Sequence, residues 1–195
     1  MKFTYFQKKY TIKIPENVTA FYCDKKKILT FLGPLKKKSL KLEIKPFFST
    51  PLNSLIISDL SHTQNSVIHR NNSKIIQGTT LAMIKHALIE INYKLYNKVK
   101  FVGVGYRSFQ MNTPFLENQI FLKLGYSHMI YFRIPSPLNT YTIKFTTLFI
   151  FGNSSYNEIT KLVSLIRDCR LPEPYKGKGV LRYEEKITLK KGKKI

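Results

Sequence analysis

One helix and its two boundaries constrain this chain more than anything else in it. Ile159, Leu162, Val163 and Ile166 recur at i, i+3, i+4 and i+7 and make a single apolar stripe on a 3.6-residue helix. Ser155 and Glu158 stand ahead of it at capping-box spacing. Pro172 and Pro174 stop it, because each fixes φ and pushes the preceding residue out of the helical region. Lys161, Arg167 and Arg170 fall off the stripe. A helix that is apolar on one face needs a second layer to cover that face, and the chain around this helix is patterned as strands.

Thr11 to Pro15, Ala20 to Asp24 and Ile28 to Leu32 read as strands, with Asp24-Lys25-Lys26-Lys27 as a charged turn and Gly33-Pro34 as a stop. The run Lys36 to Lys38 reads equally well as a solvated turn and as a phosphate contact. Phe47-Phe48 and Leu55-Ile56-Ile57 read as buried strand fragments, and Ser61 to Ser73 as a polar loop. Gly78-Thr79-Thr80 is expected to open a helix with a threonine as N-cap, and Leu81, Ile84, Leu88 and Ile91 give that helix an apolar face. Val99 to Tyr106 reads as a strand, with Gly103 and Gly105 inside it marking a bulge or close packing. Ile120 to Leu124 and Ile130 to Ile134 alternate on either side of the turn Gly125 to His128. Thr140 to Phe145, Leu148 to Phe151 and Val180 to Leu189 complete the strands, and Lys190 to Lys194 forms a basic tail.

The chain also echoes itself. Ile14-Pro15 precedes two short strands and Gly33, and Ile134-Pro135 precedes two short strands and Gly152, with a helix later in each half. The expected fold class is α+β: two tandem duplicated domains, each a small antiparallel sheet packed with one main helix. The boundary falls near Asn97, giving domains 1–97 and 98–195.

Charge narrows the function. With 33 Lys and Arg against 11 Asp and Glu, the 195 residues carry a net charge of +22. Such a chain repels itself unless a polyanion neutralises it. Apolar runs stay far below the ~20 residues of a membrane span. Met1 to Tyr10 has no apolar signal core and no transit-peptide pattern. An organellar chain of this kind would be made inside its organelle, or read without its presequence. Cys23 and Cys169 lie too far apart for a metal or redox motif and read as reduced, with Cys169 on the buried face of its helix. His62, His69, His86 and His128 form no ligand pattern. No nucleophile motif, phosphate loop or complete dinucleotide fingerprint is present, and a strand would point Glu184 and Glu185 to opposite faces. Catalytic, metal and cofactor sites are all expected to be absent. The rival classes are a nucleic-acid-processing enzyme, which lacks an acidic cluster for metal, and a basic peripheral membrane protein, which lacks a basic amphipathic helix.

Lysines interleaved with tyrosines remain, and lysine favours phosphate neutralisation over bidentate base reading. The segment Leu-Pro-Glu-Pro-Tyr-Lys-Gly-Lys-Gly, residues 171–179, combines stiffening prolines, a flat ring, two cations and two glycines. Both glycines read as positions where the backbone approaches RNA closely. Alanine at Gly177 and Gly179 is therefore expected to leave the free protein folded.

Lys100 to Arg107 (Lys-Phe-Val-Gly-Val-Gly-Tyr-Arg), Leu122 to His128 (Leu-Lys-Leu-Gly-Tyr-Ser-His), Ile166-Arg167 and Pro172 to Gly179 resemble, in order and spacing, the universal large-subunit ribosomal protein L-six family. Ile14-Pro15, Gly33-Pro34-Leu35-Lys36 and Gly78-Thr79-Thr80 resemble its N-terminal half. Met129 stands where the family usually has proline, Phe151-Gly152-Asn153-Ser154 lacks its Asp-Lys, and residues 47–73 do not resemble it closely. The resemblance implies a duplicated α+β fold, no enzymatic activity, and binding to large-subunit rRNA near the sarcin–ricin loop and stalk base, where translation factors dock. Its implied neighbours are other large-subunit and stalk-base ribosomal proteins. Carried over by motif, the rRNA contacts fall on Tyr126, Ser127 and His128 and on Tyr175, Lys176, Gly177, Lys178 and Gly179, with Arg167 and Arg170 beside them. Abundant Lys, Asn, Ile, Phe and Tyr fit an AT-rich coding genome. The expected location is the mitochondrial ribosome, with a plastid or a bacterial cytoplasm as alternatives.

Overall fold

The computed structural model describes residues 10–49, 53–61, 68–113 and 116–192. The chain divides into two compact units, Met1–Tyr93 and Lys94–Ile195. In the first, β1 (Thr11–Lys13), β2 (Thr19–Cys23), β3 (Ile28–Leu32), β4 (Lys37–Lys41), β5 (Ile44–Ser49) and β6 (Ser54–Ser61) precede α1 (Ile68–Asn92). They form two antiparallel sheets, β1-β6-β5 and β2-β3-β4. The second runs β7 (Leu95–Val102), β8 (Arg107–Thr113), β9 (Leu116–Lys123), β10 (Ile130–Arg133), β11 (Leu138–Ile143), β12 (Thr147–Gly152), α2 (Tyr156–Asp168) and β13 (Gly179–Arg182). Its sheets are β10-β9-β8 and β11-β12-β7-β13. Asn97, the expected boundary, lies inside β7.

The architecture is the expected duplicated sheet-plus-helix fold, but the sequence echo marks the wrong register. Meander β2-β3-β4 matches β8-β9-β10, sheet β1-β6-β5 matches β7-β12-β11, and a helix follows β6 and β12 alike. Aligning on Pro15 and Pro135 would instead pair β1 with β10. That would set α2, which follows β12, after β3, where the chain has only the turn from Gly33 to Lys36. Ile14 and Ile134 are both buried. Each is an apolar residue at a strand end, and this common requirement made them look alike.

Each helix buries its stripe in its own unit. Ile84, Ala87, Leu88 and Ile91 of α1 pack with Leu29, Phe31 and Leu55. Ile159, Leu162, Val163 and Ile166 of α2 pack with Val99, Leu148, Ile150 and Val180. The α2 capping box is present: Ser155 accepts from the Glu158 N–H (3.3 Å) and Glu158 Oε2 accepts from the Ser155 N–H (3.1 Å). Free Cys169 is partly buried against this core, and free Cys23 is exposed.

Four local expectations change. The first helix does not open at Gly78. It spans Ile68–Asn92, so residues 68–73 are helical, and His62 to Val67 lie outside the described residues. The Thr79 and Thr80 hydroxyls donate back to the carbonyls of Ile76 and Gln77 (both 2.9 Å), the habit of threonines within a helix rather than at its cap. Buried Gln77 donates to the Ser58 carbonyl (3.0 Å) and ties α1 to β6. Second, Phe47 and Phe48 are in a strand but exposed, on edge strand β5 beside Pro46. Third, Lys37 and Lys38 belong to β4. Lys36 (3.3 Å) and Lys38 both pair with Glu90 of α1, whose side chain is 2% exposed. Fourth, the last strand ends at Arg182 instead of Leu189.

Candidate nucleic-acid interface

Tyr106 is the pedestal of the site. After β7, Gly103 (φ 150°) and Gly105 (φ 75°) turn the chain, and the Tyr106 N–H closes the turn on the Gly103 carbonyl (3.3 Å). The two glycines thus lie beyond the strand rather than inside it. The buried Tyr106 ring rests against Gly103 on one side and Gly125 on the other. A Cβ at either would stand 3.0 or 3.1 Å from ring carbons. The Gly-Val-Gly-Tyr and Leu-Gly-Tyr motifs are therefore two halves of one packing arrangement.

Above this pedestal three of the expected contact residues meet. Tyr126 donates to the Cys169 carbonyl at the end of α2 (2.9 Å), which satisfies one of the acceptors a helix end leaves open. The Tyr126 and His128 rings stack, with centroids 5.7 Å apart and planes 19° off parallel. Arg170, the third of these residues, lies over Tyr126, its Cζ 4.9 Å from the ring centroid. Hydrogen bonding to Tyr126 is the main cause holding the Arg170 pKa above its ordinary value. Ser127 and His128 are exposed.

The neighbouring loop is closed on itself. The Glu173 N–H donates to the Lys178 carbonyl and the Gly177 N–H to the Glu173 carbonyl (both 2.9 Å). The Val180 N–H bonds to the Arg170 carbonyl and the Lys190 N–H to that of Pro174, again at 2.9 Å. Gly179 (φ 151°) faces Pro172: a Cβ there would lie 2.5 Å from the proline Cα and 2.8 Å from its N. At Gly177 (φ 68°) a Cβ would meet only a Leu189 methyl, at 3.3 Å. The bareness of Gly179 thus serves the loop's own closure, and alanine there is expected to strain the free protein rather than be tolerated. Tyr175 and Lys176 project outward, and Lys178 is half-buried.

Arg167 belongs to the framework. Its Nε and Nη2 donate to the two carboxylate oxygens of Glu185 (3.0 and 2.6 Å), and the Arg182 N–H also donates to Glu185 (3.2 Å). With β13 ending at Arg182, Glu185 folds back toward α2, so the strand reading that separated Glu184 from Glu185 fails. Arg167 holds the Glu185 carboxyl below the usual carboxylate range. A depressed carboxylate contributes stability above its unfolded value, about 4.3, and loses it as pH falls through the folded one. The difference in thermal melts between wild type and Glu185→Gln should therefore be largest near neutrality and close in acid. A gap that does not change with pH would show that the ion pair adds nothing.

Among the described residues no group of His, Cys, Asp and Glu could hold a metal ion, and no helix is long and apolar enough to cross a membrane. Sequence reasoning missed Tyr106, whose signal was its place beside two glycine motifs. It also missed the pairing of Arg167 with Glu185, which needs the turn after β13.

No family model matches the chain. Among curated proteins it is 33% identical to large ribosomal subunit protein uL6 of Mycoplasmoides gallisepticum, over 93% of this chain and 92% of that one. It is 36% identical to uL6 of Mycoplasma genitalium over 85% and 84%. It is 29% identical to uL6m of Prototheca wickerhamii over 94% of both. Similarity of this extent, over most of both chains, shows that the chain belongs to the uL6 family of large ribosomal subunit proteins.

Proposed function

We propose that this protein binds large-subunit rRNA through one surface of its second unit, formed by Tyr126, Ser127, His128, Arg170, Tyr175, Lys176 and Lys178. The protein has a structural role in the large ribosomal subunit and is not an enzyme, as its family is ribosomal and structural. The observation that carries the RNA reading is the Arg170–Tyr126–His128 stack at the end of α2, beside a lysine loop closed by its own hydrogen bonds. Prepositioned rings and cations lose little freedom on docking, and the lysines neutralise phosphate. Gly177 and Gly179 contribute by shaping the loop, and Arg167 by holding Glu185 behind β13. The family resemblance supports a location near the sarcin–ricin loop and stalk base, beside neighbouring ribosomal proteins and docking translation factors. The uL6m relative and the composition support the mitochondrial ribosome as the location, and the bacterial relatives support a bacterial cytoplasm as its alternative. Cosedimentation of the tagged protein with large subunits from the purified organelle tests that placement.

Each phosphate contact contributes about −0.7 to −0.9 to the log–log dependence of affinity on salt. Lys176→Ala with Lys178→Ala should weaken binding to a large-subunit rRNA fragment and flatten that slope by about 1 to 2 units. An unchanged slope would move the contact elsewhere on the protein.

A further inference from the structure

The face of sheet β11-β12-β7-β13 turned away from α2 is open and aromatic. Tyr141 pairs with Phe149 and Phe149 with Lys98 across the strands. The Tyr183 N–H donates to the Lys98 carbonyl (3.1 Å), so these four residues form one row. The alternating residues Val99, Leu148 and Val180 point the other way, into the core beneath α2. Tyr141, Tyr183 and Tyr96 are 59%, 60% and 66% exposed. Lys98 Nζ lies 4.6 Å from the Tyr183 ring centroid, 4.9 Å from Phe149 and 5.7 Å from Tyr96. Tyr96, Lys98 and Tyr183 line one wall of a cleft of about 680 Å³; on its α2 side Arg182 donates to Ser164 (2.8 Å), Arg167 is paired with Glu185, and Glu184 is exposed.

Single exposed tyrosines need no explanation, but a row of rings gathered around a cation does. Lys98 and Lys100 project from this face, and its strand positions carry no carboxylate. A protein partner would favour a patch depleted of charge at its centre. Rings alternating with cations fit a strand of nucleotides, since any base stacks on a tyrosine and any phosphate is neutralised by a lysine.

We infer that this open face binds unpaired RNA, with bases stacking on Tyr96 and Tyr183 and phosphates meeting Lys98 and Lys100. The inference extends the RNA-binding reading to a second surface and takes only the class of polymer from it.

The test uses the full chain and two labelled probes, a short oligouridine and a folded large-subunit rRNA fragment, read by fluorescence anisotropy. Loss of a stacking ring typically weakens single-strand binding about 5- to 150-fold. Tyr96→Ala with Tyr183→Ala should therefore weaken oligouridine binding at least that much, while Tyr96→Phe with Tyr183→Phe retains it. Lys176→Ala with Lys178→Ala should weaken it less than the alanine pair does. Wild-type affinity in the alanine pair, or equal loss in the phenylalanine pair, overturns the inference. Wild-type protein that binds the rRNA fragment but not oligouridine also overturns it and leaves the first surface standing. Oligouridine binding without rRNA-fragment binding would do the reverse. A photo-crosslinker at position 141 that captures protein instead of RNA in assembled subunits would give the face to a protein neighbour and reject RNA.

Discussion

Lys36→Met with Lys38→Met is expected to destabilise the first unit by about 3 kcal/mol or more. Both lysines pair with Glu90, whose side chain is 2% exposed, while theirs are each 26% exposed. The asymmetry sets the direction. Removing the lysines takes two ammonium partners from a carboxylate that cannot reach water, whereas removing the glutamate leaves two flexible cations that can. Glu90→Gln should therefore cost less, about 1–3 kcal/mol. Adding Glu90→Leu to the lysine double variant should recover much of the loss, because an apolar side chain then replaces a buried carboxylate. Thermal melts, with amide exchange read at Ile84 to Ile91, check this order. A lysine double variant as stable as wild type would show that the pairing carries no stability.

Much of this fold was legible because periodicity and termination act locally. The α2 stripe, its capping box and its proline stop depend on residues within one or two turns of each other, and all three were readable. The start of α1 was not, because Gly78 resembles a boundary and only the back-bonded hydroxyls of Thr79 and Thr80 reveal that the helix runs through it. Lys36 to Lys38 and Glu90 are separated by half the first unit, so a buried ion pair looked like a solvated turn or a phosphate contact. The duplication was readable, but its register was not: apolar-proline pairs recur at strand ends for reasons of packing, and only strand order shows that β7, not β10, is the counterpart of β1. The candidate contact residues were named by motif. What motif could not supply was which of them hold the surface up. Arg167 is bound to Glu185, and Tyr106, hidden beneath two glycines, sets the turn that carries Tyr126.

Gly179→Ala is expected to destabilise the free second unit by about 2–4 kcal/mol, with the larger part coming from a backbone collision that side-chain motion cannot relieve. The atoms in the way are the Cα and N of Pro172, at 2.5 and 2.8 Å, and the proline ring fixes that backbone. Two escapes remain. The loop from Pro172 to Lys178 can open, which breaks the bond from the Glu173 N–H to the Lys178 carbonyl. Alternatively β13 can lift from β7, which exposes fully buried Val180 and breaks the bond from its N–H to the Arg170 carbonyl. Either route moves Lys176 and Lys178 away from the Tyr126–Arg170 stack, so RNA affinity should fall together with stability. Gly177→Ala meets only a leucine methyl and should cost about 1–2 kcal/mol for its left-handed φ. The lysine pair at 176 and 178 should do the opposite of Gly179→Ala, weakening RNA binding while leaving the melt unchanged, because neither side chain is part of the core. Thermal melts of the free protein and amide exchange at Val180 and Leu181 separate the three variants. If Gly179→Ala melts like wild type and fails only in rRNA binding, the glycine is there for the RNA backbone rather than for Pro172, and the closed loop is not what presents the lysines.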